Sequence, residues 1–183
     1  PPLTALAARF EVAAAITRED APLGRKRILT PSPVAVAAEE LGLPVIHANR
    51  LREEATERVR ALRPDLGVVV AYGGLVREPL LSLPRRGWVN LHFSLLPRWR
   101  GAAPVQHALI AGDRETGAAV FQLVPELDAG DVFGELRRPI RPDETAGELL
   151  EDLARSGARL LADTVAALAD GTGAWSFTPS SAL

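Results

Sequence analysis

Between Trp88 and Gly101 the chain reads WVNLHFSLLPRWRG, which brings an amide, an imidazole and a hydroxyl within five residues: Asn90, His92 and Ser94. If residues 88–92 form a strand that ends in a loop, Asn90 and His92 are two apart and point to the same side. An N–H donor and a titratable ring facing one small volume can stabilise a developing oxyanion and move a proton. An isolated pair of this kind more often does no more than hold loop backbone groups. A nearby carboxylate would shift that balance. The stretch PELDAG, residues 125–130, offers Glu126 and Asp128 in the loop after another expected strand. Together, Asp, His and Asn would supply a base, its orienter and an oxyanion donor.

Short β-rich apolar runs alternating with helical patterns are what must position these groups. Strands are expected at 11–17, 44–48, 66–72, 88–92, 118–124 and 131–140, and helices at about 33–41, 52–62, 78–83, 104–111 and 146–170. That alternation predicts a doubly wound α/β fold with a mostly parallel sheet and flanking helices, in which ligands bind beyond the carboxyl ends of the strands. The run GVVVA, residues 67–71, has no polar alternation, so its strand is expected to be central. In the last helix Leu149, Leu150, Leu153, Leu160, Leu161, Val165 and Leu168 recur at helical spacing, a packing stripe that Gly171 and Gly173 then stop. Residues 1–172 therefore read as one domain and 173–183 as a linker or tail. Arg18–Pro33, with three prolines and the basic run GRKR, reads as a long connection without regular structure, of the kind that is either functional or disordered.

Composition narrows the chemistry. The 183 residues carry 21 basic and 23 acidic side chains, so the net charge of −2 gives no global attraction to nucleic acid or membrane, and an anionic partner must meet a local patch. With no cysteine and only His47, His92 and His107 as imidazoles, a protein-held metal is not expected. No apolar run approaches a membrane span and the N-terminal residues lack the charged region of a secretory signal, which predicts a cytoplasmic protein. The absence of methionine makes Pro1 an expected internal point of a longer chain.

The strings LTPSPVAVAAEELGLPV, VVVAYGG, NLHFSLLPRWRGAAPVQHALIAGD, ETG, ELDAGDV and ADGT occur in an order that resembles the 10-formyltetrahydrofolate-dependent formyltransferases. WRGAAP and the PSP loop resemble the branch of that family acting on methionyl-tRNA. The resemblance implies a Rossmann-like domain whose first strand would precede Pro1 and whose carboxy-terminal barrel would follow residue 183. It implies an enzyme of translation initiation and one-carbon metabolism that transfers a formyl group from 10-formyltetrahydrofolate, as co-substrate, to the amino group of methionyl initiator tRNA. Neither a metal nor a covalent intermediate is demanded by that reaction, and a monomer without membrane contact is implied.

Carried residue by residue, Asn90 would donate to the oxyanion, His92 would handle the amine proton and Asp128 would hold or charge-stabilise the imidazole. Ser94, Leu95, Leu96 and Pro97 would contact the folate, with Tyr72, Gly73, Gly74 and Leu75 as a second wall. For each of these residues a tight turn with leucines returning to the core is the plainer alternative. Arg25, Lys26 and Arg27 match the family's basic loop against the tRNA acceptor stem; without the match they read as a solvated charge run. Arg98 and Arg100 could meet phosphate or pair with carboxylates, and Trp99 could pack or stack. Asp131 is expected to cap or pair at the start of its strand, and His47 and His107 to be structural or surface residues. Phe93 stands where the family more usually has a small residue or proline, which predicts a narrower mouth to the site. The rival readings are a relative acting on a nucleotide sugar or purine intermediate, a hydrolase of the formyl donor, and a non-catalytic folate- or RNA-binding module on the same scaffold.

Overall fold

The computed structural model describes residues 1–171. Along the chain come α1 (Pro2–Ala7), β1 (Ala15–Thr17), β2 (Ala21–Leu23), β3 (Ile28–Thr30), α2 (Pro33–Glu40), β4 (Val45–His47), α3 (Glu53–Leu62), β5 (Gly67–Val70), β6 (Trp88–His92), α4 (Pro104–Ile110), β7 (Glu115–Gln122), β8 (Val132–Pro139) and α5 (Ala146–Ala169). The expected α/β Rossmann-like architecture is present. β1 pairs with β4 in parallel across the α2 crossover, and β5 pairs with β6 in parallel. β7 and β8 then extend the second sheet antiparallel, in the order β5-β6-β7-β8.

Side-chain alternation along β6 divides the interior into two cores. Val89, Leu91 and Phe93 face one way and pack with Leu6, Val105, Ala118, Val120 and the α5 stripe of Leu149, Leu153, Leu161 and Val165. Trp88 faces the other way and packs with Val59 of α3 and with Val76, Leu80 and Leu81. The α5 helix starts where Thr145 and Glu148 form a reciprocal capping box. Its last carbonyls, Leu168 and Ala169, accept from Arg86. Ser32 caps α2 by accepting from the Ala35 amide at 3.0 Å, with Pro33 at the first helical position.

Three expectations require correction. Gly67–Val70 lies at an edge of its four-stranded sheet, with β6 as its one ladder partner, and its last three valines are half-buried. An unbroken apolar run reports cover on both faces and carries no information about neighbours along the sheet. Residues 78–83 form turns instead of a helix: Leu81 N–H donates to Arg77 and Leu83 N–H to Leu80, while Glu78 accepts from both Ser82 groups, and Pro84 stops the turn there. The stretch 18–33 is no irregular loop, since β2 and β3 pair within it as a hairpin, Ala21 opposite Thr30 and Leu23 opposite Ile28. The segment 173–183 lies outside the described residues.

Candidate active site

The face of β6 opposite the α5 core carries the polar residues. Asn90 pairs with Phe121 of β7 and His92 with Ala119, so both side chains leave the same side of a strand held on each flank. His92 is buried and meets the Phe121 ring edge-on, with centroids 6.3 Å apart. Asn90 Oδ1 is buried and has no hydrogen-bond partner, an arrangement that native interiors avoid unless a ligand or water completes it. Phe93, on the alternate face, is buried in the α5 core. Its bulk therefore does not narrow the site, contrary to the expectation from sequence.

A cleft of about 390 Å³ lies against the Asn90 face of β6, between the segment that follows β5 and the loop that follows β7, within the size range of small-ligand sites. Asn90, Glu126 and Asp128 line it together with Gly74, Leu75 and Val69. The cleft thus unites the amide of β6 with the carboxylates of the loop after β7. That loop is held close to the sheet: the Gln122 amide donates to the Asp131 carbonyl at 2.9 Å, and a Cβ on Gly130 would stand 1.8 Å from the Gln122 carbonyl oxygen. Only glycine permits this approach. Asp128 itself has a left-handed backbone, φ 46°.

His92 does not line the cleft; it reaches it through the loop at 98–101. His92 Nε2 lies 2.9 Å from the Trp99 carbonyl oxygen. A carbonyl can only accept, so this bond places the proton on Nε2 and leaves the Nδ1 lone pair free in the neutral ring. Two residues on, the Gly101 amide donates to Asp128 Oδ2 at 2.7 Å. The partner of Asp128 here is a backbone N–H of this loop. Trp99 has φ 58°, a conformation that costs a bulky residue about 1–2 kcal/mol, so its surroundings must over-determine it.

That restraint comes from α4 and its end. The Asp113 carboxylate accepts from Trp99 Nε1 at 2.7 Å and from Arg98 through Nε at 3.0 Å and Nη2 at 2.6 Å. The Arg98 fork, and secondly the indole N–H, hold the Asp113 carboxyl below the ordinary carboxylate range. Arg98 lies 4.5 Å over the indole, and the His107 ring stacks on it at 5.6 Å with a 14° tilt. Trp99 is therefore both packed and stacked. Arg98 is committed to Asp113, and His107 has a place in the site's support that sequence reasoning did not assign.

Of the remaining expected site residues, Gly74 and Leu75 line the cleft. Tyr72 sits beside Gly74, and its hydroxyl accepts from the Leu51 amide; neither it nor Gly73 is part of the cleft lining. Ser94 is fully buried and donates to the Arg98 carbonyl at 2.6 Å, so its hydroxyl closes the turn. Leu95 and Leu96 are half-buried and Pro97 is exposed, all outside the lining. Arg25, Lys26 and Arg27 are exposed at the tip of the β2–β3 hairpin. His47 lines a separate cavity of about 300 Å³ that also holds Arg50, Arg52 and Glu54. Among the described residues, no three His, Cys, Asp or Glu side chains are grouped to hold a metal ion, and no helix is long and apolar enough to cross a membrane.

Comparison with known proteins places this arrangement in a lineage. The chain is 94% identical over 172 residues to a methionyl-tRNA formyltransferase of Leifsonia xyli subsp. xyli, covering 94% of this chain and 57% of that protein. It is 59% identical over 167 residues to the methionyl-tRNA formyltransferase of Acidothermus cellulolyticus, covering 91% of this chain and 52% of that protein. The chain thus spans just over half the length of these curated relatives. Among solved structures, a phosphoribosylglycinamide formyltransferase from Anaplasma phagocytophilum shares the fold at a TM-score of 0.79 and 21% identity, over 93% of this chain and 82% of that one. A sugar N-formyltransferase from a Shewanella species does so at 0.61 and 21%, over 74% and 53%. Residues 5–165 match the profile of the formyl transferase family, and with the β6 strand, the cleft and the loop that joins them the chain belongs to that family.

Proposed function

We propose that residues 1–172 form the catalytic domain of an enzyme that transfers a formyl group from 10-formyltetrahydrofolate to the amino group of methionyl initiator tRNA, in the cytoplasm and as a monomer. Residues 173–183 would lead onward from it. The similarity to methionyl-tRNA formyltransferases over nearly the whole chain supports the choice of acceptor. The observation that carries the mechanism is that Asn90 and Asp128 line one cleft against the face of β6 that also bears His92, with His92 and Asp128 both tied to the loop at 98–101.

In the proposed reaction the methionyl amine attacks the formyl carbon, a new C–N bond forms and the bond from that carbon to N10 of the folate breaks. The amine loses a proton and N10 gains one. Charge develops on the formyl oxygen between the two steps, so a fixed donor there accelerates both. Asn90 fills this role: its amide borders the cleft, and rotation about its last bond presents either the NH₂ to the oxyanion or Oδ1 to a ligand N–H. His92, with Nε2 held by the Trp99 carbonyl, offers Nδ1 for the amine proton. Asp128 would set its carboxylate at the same cleft, facing the positive charge that develops on the attacking nitrogen. Gly74 and Leu75 would border the pterin, and Ser94 to Pro97 would shape the turn that supports the site. Arg25, Lys26 and Arg27, exposed on the hairpin, would meet the acceptor-stem phosphates.

The test is an assay of the full-length protein with the folate donor and, as acceptor, methionyl-tRNA, a nucleotide sugar or water. Formylation of methionyl-tRNA is expected, with His92→Ala and Asp128→Ala each losing roughly 10²–10⁴-fold in turnover while remaining folded. Transfer to the sugar or to water in preference to the tRNA would refute the acceptor, and wild-type turnover in either variant would refute the roles.

A further inference from the structure

We propose that Asp113 is a positioning residue for the transfer, anchoring through Trp99 and Arg98 the loop that holds His92 and Asp128 in register. The proposal rests on the catalytic reading of those two residues. Asp113 touches neither of them and acts at one remove.

The place of Asp113 follows from how α4 ends. Gly112 has φ 69° and donates to the Leu109 carbonyl, while the Asp113 amide donates to Ala108, which is the bonding pattern of a Schellman stop. The backbone of Asp113 is thereby fixed to a rigid helix that is packed against the α5 core through Val105. From that position its carboxylate takes one indole N–H and two guanidinium N–H groups, each within 3.0 Å. The planar fork of Arg98 and the rigid indole leave Trp99 little freedom to rotate. His107, from the same helix, stacks on the indole ring.

What the clamp holds is the left-handed backbone at Trp99. This conformation aims the Trp99 carbonyl at His92 Nε2, and two residues later the Gly101 amide at Asp128 Oδ2. One carbonyl and one amide of a single loop thus set the tautomer of the proposed base and the orientation of the proposed carboxylate. Release of Trp99 would free both together, whereas breaking either hydrogen bond alone would affect one. The lowered pKa of Asp113 keeps the clamp charged throughout the neutral range.

The experiment uses ¹⁵N correlation spectra of the histidine rings, which are simple because the chain has three histidines. In the wild type the His92 ring is expected to carry its proton on Nε2. In Asp113→Ala a second tautomer population is expected, with turnover in the formylation assay reduced about 10²-fold and the donor and tRNA KM values within about twofold, as for a misplaced rather than missing group. Asp113→Asn keeps an acceptor for the indole but not the charge for Arg98, and should fall between the two. It also decides the matter if the alanine variant does not fold. Trp99→Phe, which removes the indole donor, should shift the tautomer in the same direction. An unchanged His92 tautomer and unchanged turnover in folded Asp113 variants would overturn the proposal. So would a loss confined to thermal stability. If the wild type transfers no formyl group, the functional reading fails, while the tautomer shift still decides whether Asp113 positions His92.

Discussion

Glu144 allows the most quantitative prediction. Its side chain is wholly shielded from solvent between β8 and α5, where it accepts from Arg138 Nη1 at 2.8 Å and Nη2 at 2.6 Å, from Arg141 Nη2 at 2.8 Å and from the Arg141 amide at 3.1 Å. The Arg138 bonds, outweighing burial and helped by Arg141, hold its carboxyl down to about 2 against an ordinary value of 4.5. Because the folded value is the lower one, the stabilisation is fully present above about pH 4.5 and is lost as pH falls toward 2. At 1.36 kcal/mol per decade the difference amounts to about 3 kcal/mol. Glu144→Gln keeps the volume and one acceptor but leaves Arg138, 16% exposed, with Asp152 as its remaining carboxylate. Such a broken pair costs about 3 kcal/mol, which in a domain of this size lowers Tm by roughly 6–12 °C. Urea denaturation of both proteins between pH 7 and pH 2 measures this directly. The gap between them should be widest at neutral pH and close across the acid window. A gap that is absent at pH 7, or that stays constant down to pH 2, would refute the assignment of the stabilisation to the ionised carboxylate.

Gly130→Ala would set a Cβ 1.8 Å from the Gln122 carbonyl, so the loop carrying Asp128 must move; turnover should fall about 10²-fold, measured beside circular dichroism to show that the fold persists. Replacing Arg25, Lys26 and Arg27 with alanine should raise the tRNA KM and flatten its salt dependence, by roughly 0.7–0.9 in the logarithmic slope for each phosphate no longer neutralised, with the folate KM unchanged. A salt slope equal to the wild type would reduce the cluster to a solvated run.

The parts of this molecule that are legible from sequence are those set by local periodicity. The common face of Asn90 and His92 follows from the two-residue repeat of β6, and the α5 stripe from its 3.6-residue repeat. The approach of Asp128 to the same cleft does not follow from its strand-end position, because β7 runs antiparallel to β6 with Gln122 opposite Val89, and it is the bond from the Gly101 amide that ties Asp128 to the loop after β6. Where structure depends on distant partners, the sequence is silent or misleading. Each strand of the β2–β3 hairpin has three residues, one with a proline in its middle, too short for alternation to register. The edge position of β5 depends on which strands pair with it, and no pattern within GVVV encodes that. Phe93 resembles a cleft residue because it adjoins His92, although alternation along the strand already sends it to the opposite core. The link from Asp113 to His92 is least accessible of all, because it runs through the main-chain carbonyl of Trp99, and a carbonyl is common to every residue. Its visible signal is the Gly112-Asp113 pair ending a helix, which announces a stop but not what the aspartate will reach.

The hairpin tip also lends itself to measurement. Lys26 is the sole lysine among these 183 residues and stands exposed between two arginines. Reductive methylation with ¹³C-formaldehyde would therefore place one dimethyllysine within these 183 residues, retaining its charge, at the point proposed to meet RNA. Its single resonance would report proximity of an acceptor stem without any mutation, on a chain whose lack of cysteine leaves thiol chemistry free for a second, independently chosen probe.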